Sequence, residues 1–111
     1  MILIRSGKPG PALEALRQAA HLGRDTATLH NGLGIIHAQA GRLEPAMTEF
    51  RWSMAMDPGY ANARRNLAMV LKAGNRLTEG VQVLQEGLQR DPGSPELREA
   101  WGSLTGPARR P

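Results

Sequence analysis

The residues that could do chemistry in this chain are few. Three histidines are present, His21, His30 and His37. On a helix the seven-residue step from His30 to His37 keeps both on one face but about 10.5 Å apart along the axis, too far to share one metal ion. His21 falls near an expected helix C-terminus, where a partly charged imidazole is favourable. The carboxylates Glu44, Glu49, Glu79, Glu86 and Glu99 are scattered over expected second helices and helix ends. None forms a pair that is both close and buried, so general acid–base catalysis lacks its tuned partners. Ser53, Ser94 and Ser103 have no His–Asp companions at a recognisable spacing. With no cysteine in 111 residues, disulfides, thiolate metal sites and thiol nucleophiles are excluded. No glycine-rich loop follows a strand pattern to cradle a phosphate. The expectation is a protein that is not an enzyme and carries no metal and no cofactor.

One cluster does have a chemical reading. Arg65, Met69 and Lys72 are separated by four and three residues, so they share one helical face. Two cations flank an unbranched, adaptable thioether, and such a surface suits an acidic segment with an apolar anchor.

The elements that must present this face follow from a period. Asp57-Pro58-Gly59 returns as Asp91-Pro92-Gly93, thirty-four residues on. The same step maps Leu33 to Leu67, Leu43 to Leu77, Met47 to Val81, Phe50 to Leu84 and Met54 to Leu88. Small residues repeat as well, Gly34 becoming Ala68 and Ala46 becoming Gly80. One step back, Ala12, Leu13, Leu16 and Ala20 occupy the columns of Ala46, Met47, Phe50 and Met54; one step forward, Trp101 and Gly102 occupy those of Leu67 and Ala68. A fixed period of this length marks a helical repeat array.

Apolar spacing and punctuation predict helices over 11–22, 27–40, 45–56, 61–73, 78–90 and 95–104. Gly23, Gly41 and Gly74-Asn75 end helices. Asp25, Thr26 and Ser94 are N-cap candidates, with Pro95 at a first helical position. Pro11 and Pro45 share a column in a first turn, where the missing N–H has no intrahelical partner anyway. Met1–Ser6 match the last turns of a first helix, so the chain is expected to begin part-way through a repeat.

These columns resemble the tetratricopeptide repeat, W-x2-L-G-x2-Y, then A-x3-F, then P. The first full unit reads His30-x2-Leu33-Gly34-x2-His37, Ala46-x3-Phe50, Pro58; the second reads Arg64-x2-Leu67-Ala68-x2-Leu71, Gly80-x3-Leu84, Pro92. His30 and Arg64 stand where the family prefers tryptophan. The resemblance implies an all-α, right-handed α-solenoid of antiparallel helix pairs: a partial repeat over 1–24, repeats over 27–60 and 61–94, a capping helix over 95–104 and a disordered tail over 105–111. It also implies that first helices line a concave groove. Asn31, Ile35, Ala38 and Gln39 would face it from the first repeat, and Asn62, Arg65, Asn66, Met69 and Lys72 from the second. Some members grip a C-terminal carboxylate with a clamp of lysine, asparagine and arginine. Here Asn66 stands in one clamp column, but Asn31, Ile35, Glu96 and Ala100 stand where the clamp has other residues, so chaperone-tail binding is not expected.

The expected function is a protein-interaction scaffold holding a peptide or partner protein of acidic character. The formal charge of +4, mostly arginine, agrees with that. The rival is a recruiting arm of a longer enzyme, since such arrays precede glycosyl- and sulfotransferase domains in some chains. Nucleic-acid binding is disfavoured, because Phe50, Trp52, Tyr60 and Trp101 are not interleaved with Arg65 and Lys72 as stacking platforms. Met1–Ile4 presents an apolar end, which suggests self-association there. No apolar run approaches the ~20 residues that cross a bilayer, and Met1-Ile2-Leu3-Ile4 is too short for a signal-peptide core. The compartment is left open, with the cytoplasm as default. If Ala46 and Ala68 sit at helix crossings as the columns place them, Ala46→Leu or Ala68→Leu should unfold the array, and a melting temperature within a few degrees of the parent would contradict the placement.

Overall fold

A computed structural model describes residues 26–106 and, N-terminal to these, only the isolated helical positions Glu14 and Gln18. The expectations for Met1–Ser6, for the remainder of the 11–22 helix, for Asp25 as a cap and for most of the tail lie outside the described residues. Among the described residues there are five helices and no strand: α1 (Ala27–Gln39), α2 (Leu43–Met56), α3 (Ala61–Ala73), α4 (Leu77–Arg90) and α5 (Pro95–Thr105).

Local chemistry sets their ends. Thr26 Oγ1 accepts from the Leu29 amide at 3.2 Å, and Ser94 Oγ from that of Leu97 at 3.3 Å, with Pro95 opening the first turn. The turns after α1 and α3 are the same device in two residues. Gly41 (φ 79°) and Asn75 (φ 63°) adopt the left-handed conformation. The next amides, of Arg42 and Arg76, reach back to the carbonyls of His37 and Leu71 at 2.9 and 2.7 Å. Two starts fall earlier than the sequence predicts. α2 begins at Leu43, not Pro45, and α4 at Leu77, not Thr78. Any of the first three helical amides is without an intrahelical partner, so Pro45 fits at the third position as well as the first.

The core is shared between neighbours. One buried cluster joins Ala46, Met47 and Phe50 of α2 to Leu67, Val70 and Leu71 of α3 and Val83 of α4. A second joins Ala68 of α3, Leu84 and Leu88 of α4, and Leu97, Ala100, Trp101 and Leu104 of α5. Each helix hairpin is thus closed by the first helix of the next unit. First helices approach one another closely along the backbone, α1 with α3 and α3 with α5, whereas α2 and α4 do not and meet through side chains, Arg51 Nη2 lying 3.8 Å from Glu79 Oε2. The array is therefore tighter on the first-helix side than on the other, which makes the first-helix side concave.

Close approach depends on the small columns. At Gly80 an added Cβ would lie 2.9 Å from the Ala68 carbonyl oxygen and 3.0 Å from Leu104 Cδ2. At Gly34 the space is taken by the ring of Phe50, whose Cε1 would be 2.5 Å from an added Cβ. In the second repeat the same columns hold Ala68 and Leu84, both fully buried in one cluster. A methyl on the first helix goes with a smaller residue on the second.

A charged lock joins the two repeats on the outer side. Arg76 donates to both oxygens of Glu79, at 2.8 and 2.9 Å, and to Glu44 of α2 at 3.1 Å. The Arg76 hydrogen bond holds the Glu79 carboxyl below its ordinary pKa, with the Arg76 and Arg51 charges helping and partial desolvation opposing. Glu79 similarly raises the pKa of Arg76. No helix among the described residues is long and apolar enough to cross a membrane.

Gly34→Ala should destabilise the fold by about 1–3 kcal/mol, because the methyl meets a packed ring. Adding Phe50→Leu should recover part of that loss, reproducing the second repeat's pairing; thermal unfolding of the single and double variants tests it. A group whose folded pKa is lowered contributes stability above its unfolded pKa, about 4.3 for glutamate. The Glu79 contribution should therefore be complete at neutral pH and lost as pH falls below that value. Glu79→Gln should melt below the parent at pH 7, with the gap closing towards pH 2.

Candidate binding groove

The concave side is built by α1, α3 and α5. Its floor is a chain of side-chain hydrogen bonds between repeats. Asn66 Nδ2 donates to Asn31 Oδ1 at 2.9 Å, Asn31 Nδ2 to Tyr60 Oη at 3.4 Å, and Arg65 Nη2 to Asn66 Oδ1 at 3.5 Å. Asn31 is only 7% exposed, so it serves as the inner support of the groove wall, with its amide satisfied from both sides. Asn66 and Arg65 are half-buried beside it. Ile35 and Ala38 are half-buried against the first core cluster, and Gln39 is half-buried at the end of α1.

Met69 is 39% exposed, one of the few large apolar side chains so placed. Lys72 is exposed, and its Nζ donates to the Ser103 carbonyl near the end of α5 at 3.1 Å. It thus neutralises the negative end of that helix. Asn62 is exposed at the other end of α3. It lines a polar cleft of about 340 Å³ between the two inter-repeat turns, with Tyr60, Asp91, Ser94 and Glu96.

Of the sequence-predicted residues, Asn31, Arg65 and Asn66 are joined by hydrogen bonds. Met69 stands exposed four residues on from Arg65. Lys72 is engaged by α5, and Asn62 belongs to the turn cleft. Tyr60 is a participant that sequence reasoning passed over, since its hydroxyl meets Asn31 only once the hairpins stack.

The two columns where tryptophan is replaced are also resolved. Arg64 is buried and donates from Nη1 to the Val83 carbonyl at 3.1 Å, its aliphatic stem filling the space over Gly87. Burial lowers its pKa from the ordinary arginine value; Glu86 opposes and Arg90 adds to the shift. His30 Nδ1 lies 2.6 Å from Glu49 Oε1, and its ring stacks on Trp52 with centroids 6.0 Å apart. The serines do structural work: Ser53 Oγ donates to the Ala27 carbonyl at 2.7 Å, and Ser94 caps α5. Among the described residues no group of three or more His, Asp or Glu side chains could hold a metal ion.

A curved stack of helix hairpins with a partly polar inner wall defines a class, the α-solenoid scaffolds. The family follows from the comparisons. The tetratricopeptide repeat model matches residues 1–51 and 46–95, and the chain belongs to that family. A curated relative is the tetratricopeptide repeat domain-containing protein PYG7, chloroplastic, of Arabidopsis thaliana, 25% identical over 81 residues. That match takes in 73% of this chain and 27% of the relative, so the chain spans about a quarter of that protein's length. Among solved structures, the second TPR domain of human RPAP3, determined by NMR in complex with the HSP70 peptide SGPTIEEVD, superposes with a TM-score of 0.74. It is 17% identical, and the match covers 90% of this chain and 83% of that one. The likeness establishes the fold.

Proposed function

We propose that this chain is a protein-interaction scaffold whose concave side holds an acidic, extended segment with an apolar anchor. The observation that carries the reading is the pairing on α3 of a half-buried guanidinium with an exposed thioether. Arg65 is held against Asn66, and Met69 stands exposed four residues on, with Ile35 half-buried on α1. A guanidinium already oriented by a neighbouring amide loses less freedom on gripping a carboxylate than a free one does. Met69 offers an adaptable surface for an aliphatic side chain. The peptide bound by the RPAP3 domain carries two glutamates and an aspartate, which agrees with an acidic ligand for this fold.

Lys72 contributes less than its charge suggests, because its ammonium is engaged by the Ser103 carbonyl. Arg65 is the specificity-determining cation of this reading. A charge-assisted hydrogen bond contributes roughly 1.5–3 kcal/mol, so Arg65→Glu should weaken an acidic peptide about ten-fold or more. Lys72→Glu should weaken it less. Fluorescence anisotropy with a labelled peptide of glutamates around a central leucine tests this, with a lysine-for-glutamate peptide as control. Equal affinity of the parent and Arg65→Glu would move the site off this face.

A further inference from the structure

We infer that the groove reads both signs of charge: about three residues from the acidic residue gripped by Arg65, the bound segment carries a basic residue selected by Glu99 of α5. The inference rests on the acidic-segment reading and adds a second contact to it. Glu99 stands thirty-four residues after Arg65, in the same column of the next first helix. Two contacts place its helix face beside that of Arg65. At one end, Asn62 of α3 and Glu96 of α5 line the same cleft. At the other, Lys72 of α3 donates to the Ser103 carbonyl of α5. Glu96, Glu99 and Ser103 are spaced by three and four residues, as are Asn62, Arg65 and Met69, so each set forms one stripe along its helix. The two stripes run side by side, with Arg65 abreast of Glu99 between the two contacts. The core takes Leu97, Ala100, Trp101 and Leu104 from α5, and Glu99 is left exposed.

The two charges do not satisfy each other. Arg65 donates to Asn66, and the Glu99 carboxylate has no ion-pair partner among the described residues. Lys72 bonds to a backbone carbonyl and not to a carboxylate. The groove therefore changes sign from α3 to α5, and its negative side continues into the turn cleft, where Asp91 and Glu96 are on the lining. Packed helix axes lie about 8–10 Å apart. A segment extended in the polyproline II form rises about 3.1 Å per residue with three residues per turn, so residues three apart project to one side at about 9.3 Å. A glutamate over Arg65 thus brings the third residue along to Glu99. A uniformly acidic segment sets like charges against each other there, whereas a basic residue removes the repulsion and gains an attraction.

The test is fluorescence anisotropy at about 50 mM salt, where screening is weak. The labelled peptides are Glu-Glu-Leu-Ser-X, with lysine, glutamine or glutamate at X, and the reversed sequences. In the direction that binds more tightly, the parent should prefer lysine to glutamate at X by about two- to five-fold, with glutamine between. The net charge of +4 works the other way, favouring glutamate at every position, so a lysine preference is local. Glu99→Gln should abolish the preference and Glu99→Lys should reverse it, both with an unchanged melting temperature. Gln89→Lys makes the same charge change as Glu99→Gln at an exposed position of α4, and it should keep the preference. A parent that binds the glutamate peptide as well as the lysine peptide or better, or a preference that survives Glu99→Gln, overturns the inference. If Arg65→Glu still weakens all three peptides in that case, the acidic-segment reading stands without it. If Arg65→Glu changes none of them, both fall.

Discussion

The structure depends on one constraint: a single helix hairpin has more apolar surface than it can bury alone. Phe50 and Met47 face α3 as much as they face α1, and Leu84 and Leu88 find α5 as well as α3. The unit of stability is therefore a contact between successive repeats, and it recurs at thirty-four-residue intervals because the helices do. The turns after α1 and α3 fix the hairpin angle, with Asn75 taking the left-handed role that Gly41 plays one repeat earlier. Once that angle is repeated, the first helices must line up, and the groove exists as a result of stacking.

Within this frame the repeat tolerates large changes of residue type where geometry is kept. Arginine stands at a column that favours tryptophan, yet Arg64 is buried. Its stem supplies the apolar bulk, Gly87 supplies the room, and the Val83 carbonyl satisfies the guanidinium. In the other repeat His30 meets Glu49 and stacks on Trp52, and Ser53 stands where Gly87 does. The two solutions differ in chemistry and share a shape. The exchange of Gly34 and Phe50 for Ala68 and Leu84 follows the same rule, because volume across the crossing is what the packing constrains.

The helices were legible in the sequence because period, caps and turn residues agree. Thr26, Ser94, Pro95, Gly41 and Asn75 each do what their chemistry suggests. The starts of α2 and α4 were not: Pro45 is compatible with several positions of a first turn, and Leu77, in the column of Leu43, opens its helix as Leu43 does. The face shared by Arg65, Met69 and Lys72 was readable from spacing alone. Its internal bonding was not, because it is made between repeats. Asn31 meets Asn66 across thirty-five residues, and Lys72 meets Ser103 across thirty-one. Such pairings are set by the angle between hairpins, which no local pattern encodes. The burial of Arg64 was equally hidden, since it requires knowing that Gly87 lies opposite.

That α2 and α4 meet only through side chains, with no close backbone approach, has a mechanical consequence. A row of rods held closely along one edge and loosely along the other bends like a leaf spring. Its compliant direction is the one that widens or narrows the trough. The Arg76 link to Glu44 and Glu79 lies across the looser edge, and the Asn31–Asn66 bond lies on the closer one. The first limits how far the trough can narrow, since tightening the arc spreads the outer helices, and the second lies near the axis about which the arc flexes.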